Sequence, residues 1–144
     1  MTTIPPPVRM RALGDLAWAA VLAAVAAAAW FGWLGWDEEY WYDAAGDAHG
    51  PYETWQVVGC GLTLLAGAVV GALAWRPFGP LAAMPVAFTT AWIITSAPGD
   101  DQGLWPVGAI MVLIGTALGA VLVGAVATAI AGTAKAPSRA GEGL

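Results

Sequence analysis

Four stretches of this chain, Leu16–Trp36, Trp55–Trp75, Leu81–Ala97 and Trp105–Thr133, contain no Asp, Glu, Lys, Arg or His. Backbone N–H and C=O groups inside a bilayer have no water to bond, so a spanning segment must satisfy them internally, as a helix does. The first run holds 21 residues, enough at 1.5 Å per residue to cross a hydrocarbon core about 30 Å thick. A mean hydropathy of +0.69 and a charged fraction of only 10% agree with an integral membrane protein. The reading is an all-α integral membrane protein. Four transmembrane helices, about 16–36, 55–75, 81–97 and 105–133, form an antiparallel bundle as a single domain over 1–144. Residues 1–10, with Pro5 to Pro7, and 134–144, rich in Gly, Pro and Ser, read as disordered tails.

The charges orient the bundle. Arg9 and Arg11 precede the first run, Arg76 lies between the second and third, and Lys135 and Arg139 follow the fourth. The other two connections carry no Lys or Arg, yet hold eight of the ten acidic residues. Cytoplasmic loops retain Lys and Arg, whereas Asp and Glu contribute little to the bias. Both termini are therefore expected in the cytoplasm of a multi-pass plasma-membrane protein, with loops 37–54 and 98–104 extracytoplasmic. A cleaved signal peptide is the competing reading of the N-terminus. The first run is longer than a cleaved apolar core of 7–15 residues, so its retention is expected.

In lipid, close packing of small residues replaces the hydrophobic effect between helices. Gly67-x-x-x-Gly71 in the second run and Gly115-x-x-x-Gly119 in the fourth, extended by Gly124, are the packing candidates. Packing within the bundle is favoured over homodimerisation through a glycine face, because such spacing is common in polytopic bundles.

Chemistry has few places to sit. An ionisable residue in mid-membrane usually marks a proton relay or ion pathway, and the four runs have none. Cys60 lies among apolar neighbours and has no second cysteine to pair with. The single histidine, His49, is in the first acidic loop, and Ser96 has no basic partner near it in sequence. Thr89, Thr90, Thr95 and Ser96 make the third run the most polar, although helical hydroxyls ordinarily bond back to the preceding turn or to a neighbouring helix. No catalytic residue and no cofactor is predicted. Five scattered basic residues form no phosphate-tracking patch, so nucleic acid is not an expected partner.

The first acidic loop is the strongest functional candidate. Glu39 to Asp43 has strand-forming aromatics, and Gly46-Asp47 and Gly50-Pro51 are turn signals, so a small hairpin is predicted there. Its carboxylates and His49 match neither an EF-hand nor a structural zinc spacing, and no metal site is predicted. Aromatics crowd this face: Trp33, Trp36, Tyr40, Trp41, Tyr42, Tyr52, Trp55, Trp92 and Trp105 are all placed near it. An interfacial belt accounts for many of these, but the opposite face has only Trp18, Trp75 and Phe78. The function that follows is non-enzymatic: an accessory or interaction subunit whose acidic-aromatic face contacts a membrane-protein partner or a basic ligand. Glu38, Glu39, Tyr40, Trp41, Tyr42, Asp43, Tyr52, Glu53 and Trp55 are the candidate contacts. The alternative is a small homo-oligomeric channel or transporter with an acidic mouth.

Overall fold

The computed structural model describes residues 8–74 and 79–134, which form a largely helical bundle. Helix α1 covers Val8–Trp33, α2 Thr54–Ala74, α3 Ala83–Ser96 and α4 Trp105–Ala134. A single 3-10 turn, Pro80–Ala82, leads into α3. Strands β1 (Trp41–Tyr42) and β2 (Ala48–His49) pair antiparallel between α1 and α2, with Trp41 opposite His49 and Tyr42 opposite Ala48. Helix α1 packs against α2 and α3, and α4 packs against the same two from the other side.

Helix α1 begins earlier than the apolar run. Residues 8–10, expected in a disordered tail, are helical. Arg9, Met10, Arg11, Ala12 and Leu13 are strong helix formers, and charge does not stop a helix where it leaves the apolar core. The last residue of α4 is Ala134, while the remaining tail expectations, 1–7 and 135–144, and residues 75–78 lie outside the described residues.

Three helices, Met10–Trp33, Thr54–Ala74 and Trp105–Thr133, are long and apolar enough to cross a membrane. Of the four crossings expected, these three have the full length, and the fourth segment, Pro80–Ser96, is a shorter apolar helix. With its 3-10 turn this segment extends about 27 Å. It stops where Ala97 donates to the carbonyl of Ile93 at 3.0 Å and Pro98 follows without an N–H.

The outward surface explains why the bundle belongs in lipid. Along α4, Ile110, Met111, Ile114, Leu118, Leu122, Val126 and Ile130 are all exposed. A water-soluble helix turns a polar face outward, whereas one that is apolar all round is buried in protein or lipid. Inward, Leu22, Ala26, Ala29 and Trp30 of α1 meet Ala68 and Ala72 of α2 and Met84, Phe88 and Ala91 of α3.

Glycines set the α1–α2 spacing. A β-carbon on Gly71 would lie 2.8 Å from Leu22, and one on Gly67 would lie 3.0 Å from Val25. At Gly59 it would lie 2.5 Å from the Trp33 ring. These contacts pair 33 with 59, 25 with 67 and 22 with 71, so the two helices run antiparallel. Gly108 plays the same part for Trp92 where α4 meets α3. Gly115 and Gly119 are different: a β-carbon there would meet nothing within 4 Å. They border an apolar cavity of about 260 Å³ shared with Ala68, Met84 and Phe88. Gly124 is buried.

Candidate functional site

Three tryptophans at and just beyond the end of α1, Trp30, Trp33 and Trp36, follow one another at every third residue, yet each finds a different partner. Trp30 is 2% exposed, and its indole N–H donates to Thr95 Oγ1 of α3 at 3.1 Å. Its ring meets Phe88 and Tyr52 edge-on, with centroids 5.5 and 5.9 Å apart. Trp33 turns to α2, donating to Thr63 Oγ1 at 3.0 Å and lying edge-on to Trp55 at 6.1 Å. Trp36, in the turn after α1, is exposed and donates to the Gly32 carbonyl in the last turn of that helix. Despite their even spacing, the three rings are thus divided among two helix seams and the surface. Trp30 and Trp33 hold the bundle together.

The threonine hydroxyls follow the same logic. Thr63 donates to the Gly59 carbonyl while accepting the Trp33 indole. Thr90, Thr116 and Thr128 donate to carbonyls one turn back, at 2.8, 2.7 and 3.0 Å. These hydroxyls satisfy helix carbonyls. Thr89 Oγ1 is buried without a hydrogen-bond partner among the described residues.

A buried glutamine joins the first loop to α2. Gln56 is 1% exposed. Its Oε1 accepts from the Glu53 N–H at 2.6 Å, and its Nε2 donates to Asp37 Oδ2 at 2.9 Å. Glu53 precedes the helix and Gln56 is its third residue, so the first bond is one half of a capping box. The Glu53 carboxylate does not complete that box, because it accepts from the Trp55 indole at 3.0 Å. Residues 37 and 56 are thereby fixed to each other across the loop.

The hairpin is organised by Asp43. Its Oδ1 accepts from the N–H groups of Ala45 and Asp47 at 2.9 and 3.0 Å. Gly46 takes a φ of +87°, which a glycine adopts without steric penalty. Asp43 Oδ2 lies 3.0 Å from His49 Nε2, and the His49 ring stacks on Trp41 with centroids 4.2 Å apart. The His49 contact, then the Asp47 backbone bond, lowers the Asp43 pKa from its ordinary value.

Of the nine candidate contact residues, Trp41 and Asp43 thus meet through His49, and Glu53 meets Trp55. Tyr40, Tyr42 and Trp55 are exposed, as are Glu38 and Glu39. Tyr52 leans on Trp30 and borders a half-open cavity of about 540 Å³ at this end of the bundle. Asp37, Glu38, Tyr40 and Ser96 also line it. Burial, and then electrostatic repulsion from Tyr40, Asp37 and Glu38, raises the Tyr52 phenol above its ordinary pKa. Gln56 is the residue at this end that the sequence reading does not single out, while Asp37, His49 and Thr95 take structural parts there rather than contact ones. Only the Glu53-x-x-Gln56 spacing carries a local signal, that of a cap.

Among the described residues no group of three His, Cys, Asp or Glu side chains is arranged to hold a metal ion. Cys60 is free and buried. Across the second connection Asp100 accepts from the N–H groups of Gln102, at 3.1 Å, and Trp105, fixing the start of α4. The chain matches no family model, no curated protein and no solved structure.

Proposed function

We propose that this chain is a non-enzymatic accessory subunit of the plasma membrane. In this reading all four helices cross the bilayer, both termini are cytoplasmic, and the hairpin end projects from the opposite surface. The absence of Lys and Arg from both connections at that end supports the orientation. A span of about 27 Å for α3 and its leading turn is short but workable, since a bilayer thins locally at modest cost. Packing of α3 between α1 and α4 also supports its place among the crossings.

The observation that carries the functional reading is the exposed aromatic surface of the hairpin end. Tyr40, Trp41, Tyr42 and Trp55 are each more than half exposed, and Glu38, Glu39 and Glu53 stand beside them in sequence with no basic residue to pair with. Large rigid aromatics give contact area at low entropic cost, and a surface of one sign selects a partner of the other. The partner that fits is a membrane protein presenting Lys and Arg at the same interface. The ordered Asp43 turn and the Gln56 bridge give this face a fixed shape.

The test is co-purification from the native membrane after gentle extraction. The wild-type chain should bring a second membrane protein in a fixed ratio, and E38Q/E39Q/D43N/E53Q should lose it. Retention of that protein by the quadruple variant would exclude the acidic face as the contact.

A further inference from the structure

The cavity beside Tyr52 does not end at its own walls. Tyr40, Ser96 and Gly99 also border a second depression of about 470 Å³, which continues between α3 and α4. The two differ in character. The first is framed by the carboxylates of Asp37 and Glu38, the hydroxyl of Thr95 and the tyrosines. The second runs along Trp92, Leu104, Trp105 and Val107, and the one carboxylate in its lining, that of Asp100, accepts from the N–H groups of Gln102 and Trp105.

We propose that the two form one site for an amphiphilic organic cation, with an ammonium head in the acidic chamber and an alkyl tail in the α3–α4 groove. Three independent features favour positive charge in the chamber. Glu38 accepts no hydrogen bond among the described residues, and Asp37 is bonded only to the neutral amide of Gln56. Tyr40 and Tyr52 are among the walls, and aromatic rings attract ammonium groups. The carboxyl end of α3 lines the chamber through Thr95 and Ser96, and Pro98 has no N–H to offer the Ile94 carbonyl, so the negative end of the helix dipole lies here. An anionic head would meet all three with the wrong sign.

The tail follows from the shape. The two depressions share Tyr40, Ser96 and Gly99, so a chain longer than the head can pass beside these residues from the chamber into the groove. A β-carbon on Gly99 would touch nothing within 4 Å. The junction is therefore open. This site requires the hairpin end to lie at the membrane surface, but it does not depend on a protein partner.

The test is calorimetric titration of the full chain in maltoside micelles with decyltrimethylammonium, after subtraction of empty micelles. One saturable site is expected. Tetramethylammonium, the head alone, should bind at least roughly tenfold more weakly, and decyl sulfate should show no saturable binding. Gly99→Phe, which plugs the junction and keeps both carboxylates, should weaken the binding roughly tenfold or more, as should D37N/E38Q. Equal binding of decyl sulfate, equal binding of tetramethylammonium, or wild-type affinity in either variant would overturn the proposal. Partner co-purification by Gly99→Phe should remain intact, which separates this result from the fate of the subunit reading.

Discussion

Gly59→Ala should be among the most damaging single-methyl additions in the α1–α2 seam. The new β-carbon would lie 2.5 Å from Trp33 Cζ3 and 2.7 Å from two further ring atoms. Ordinary carbon contact needs roughly 3.6 Å, so the indole must retreat by about 1 Å. It has little freedom to do so, since its N–H is held by Thr63 at 3.0 Å and its ring meets Trp55. Overpacking costs about 1–3 kcal/mol, and loss of the indole bond adds about 1 kcal/mol. Alanine's higher helix propensity returns up to about 1 kcal/mol. Gly61→Ala is the internal control, because a β-carbon there meets nothing within 4 Å and gains the same propensity. The difference between the two variants therefore isolates the contact, at about 2–4 kcal/mol. Reversible unfolding in mixed maltoside and dodecyl sulfate micelles, followed by tryptophan fluorescence, measures it. Agreement of the two variants within about 0.5 kcal/mol would refute the Trp33–Gly59 packing.

Further outcomes follow from the loop. Gln56→Leu strands the Glu53 N–H and removes the Asp37 donor, and should cost about 2–4 kcal/mol in the same unfolding assay. Gln56→Glu sets two carboxylates together and should destabilise more at neutral pH, recovering on acidification as one of the pair takes a proton that Asp37 can accept. Asp43 has a folded pKa below its ordinary 3.8, so its contribution is present above that value and is lost as the pH falls through the folded one. The N–H groups of Ala45 and Asp47 should accordingly lose protection from hydrogen exchange in strong acid, and in Asp43→Ala at neutral pH. Exchange rates unchanged in Asp43→Ala would remove Asp43 from its role in the turn.

The sequence makes the long helices legible because an uninterrupted apolar run has few other outcomes in lipid. It misplaces the start of α1 because charge marks the edge of an apolar run but not of a helix, and Arg9, Arg11 and Asp15 all lie within a continuous helix. The length of α3 is a closer matter. Pro80 and Pro98 bracket the segment, and the backbone, not hydropathy, decides how much of it is α-helical. The hairpin can be read from its turn residues, but its register cannot. Pairing Trp41 with His49 depends on the ring stack and on Asp43 capturing the imidazole. Least visible are the roles of Trp30 and Trp33, whose partners Thr95 and Thr63 lie 65 and 30 residues away. Aromatic content near a membrane end is the same whether the rings face lipid, solvent or another helix.

The central claim is the topology, and cysteine accessibility tests it most directly. Cys60→Ala removes the native thiol, and single cysteines then replace Ala45 in the hairpin, Gly79 before α3, and Asp101 before α4. Intact cells are treated with a membrane-impermeant maleimide. The account predicts labelling at 45 and 101, and at 79 only after the membrane is permeabilised. Labelling at 45 with protection at both 79 and 101 would mean that α3 does not cross, and labelling at 79 alone would invert the protein.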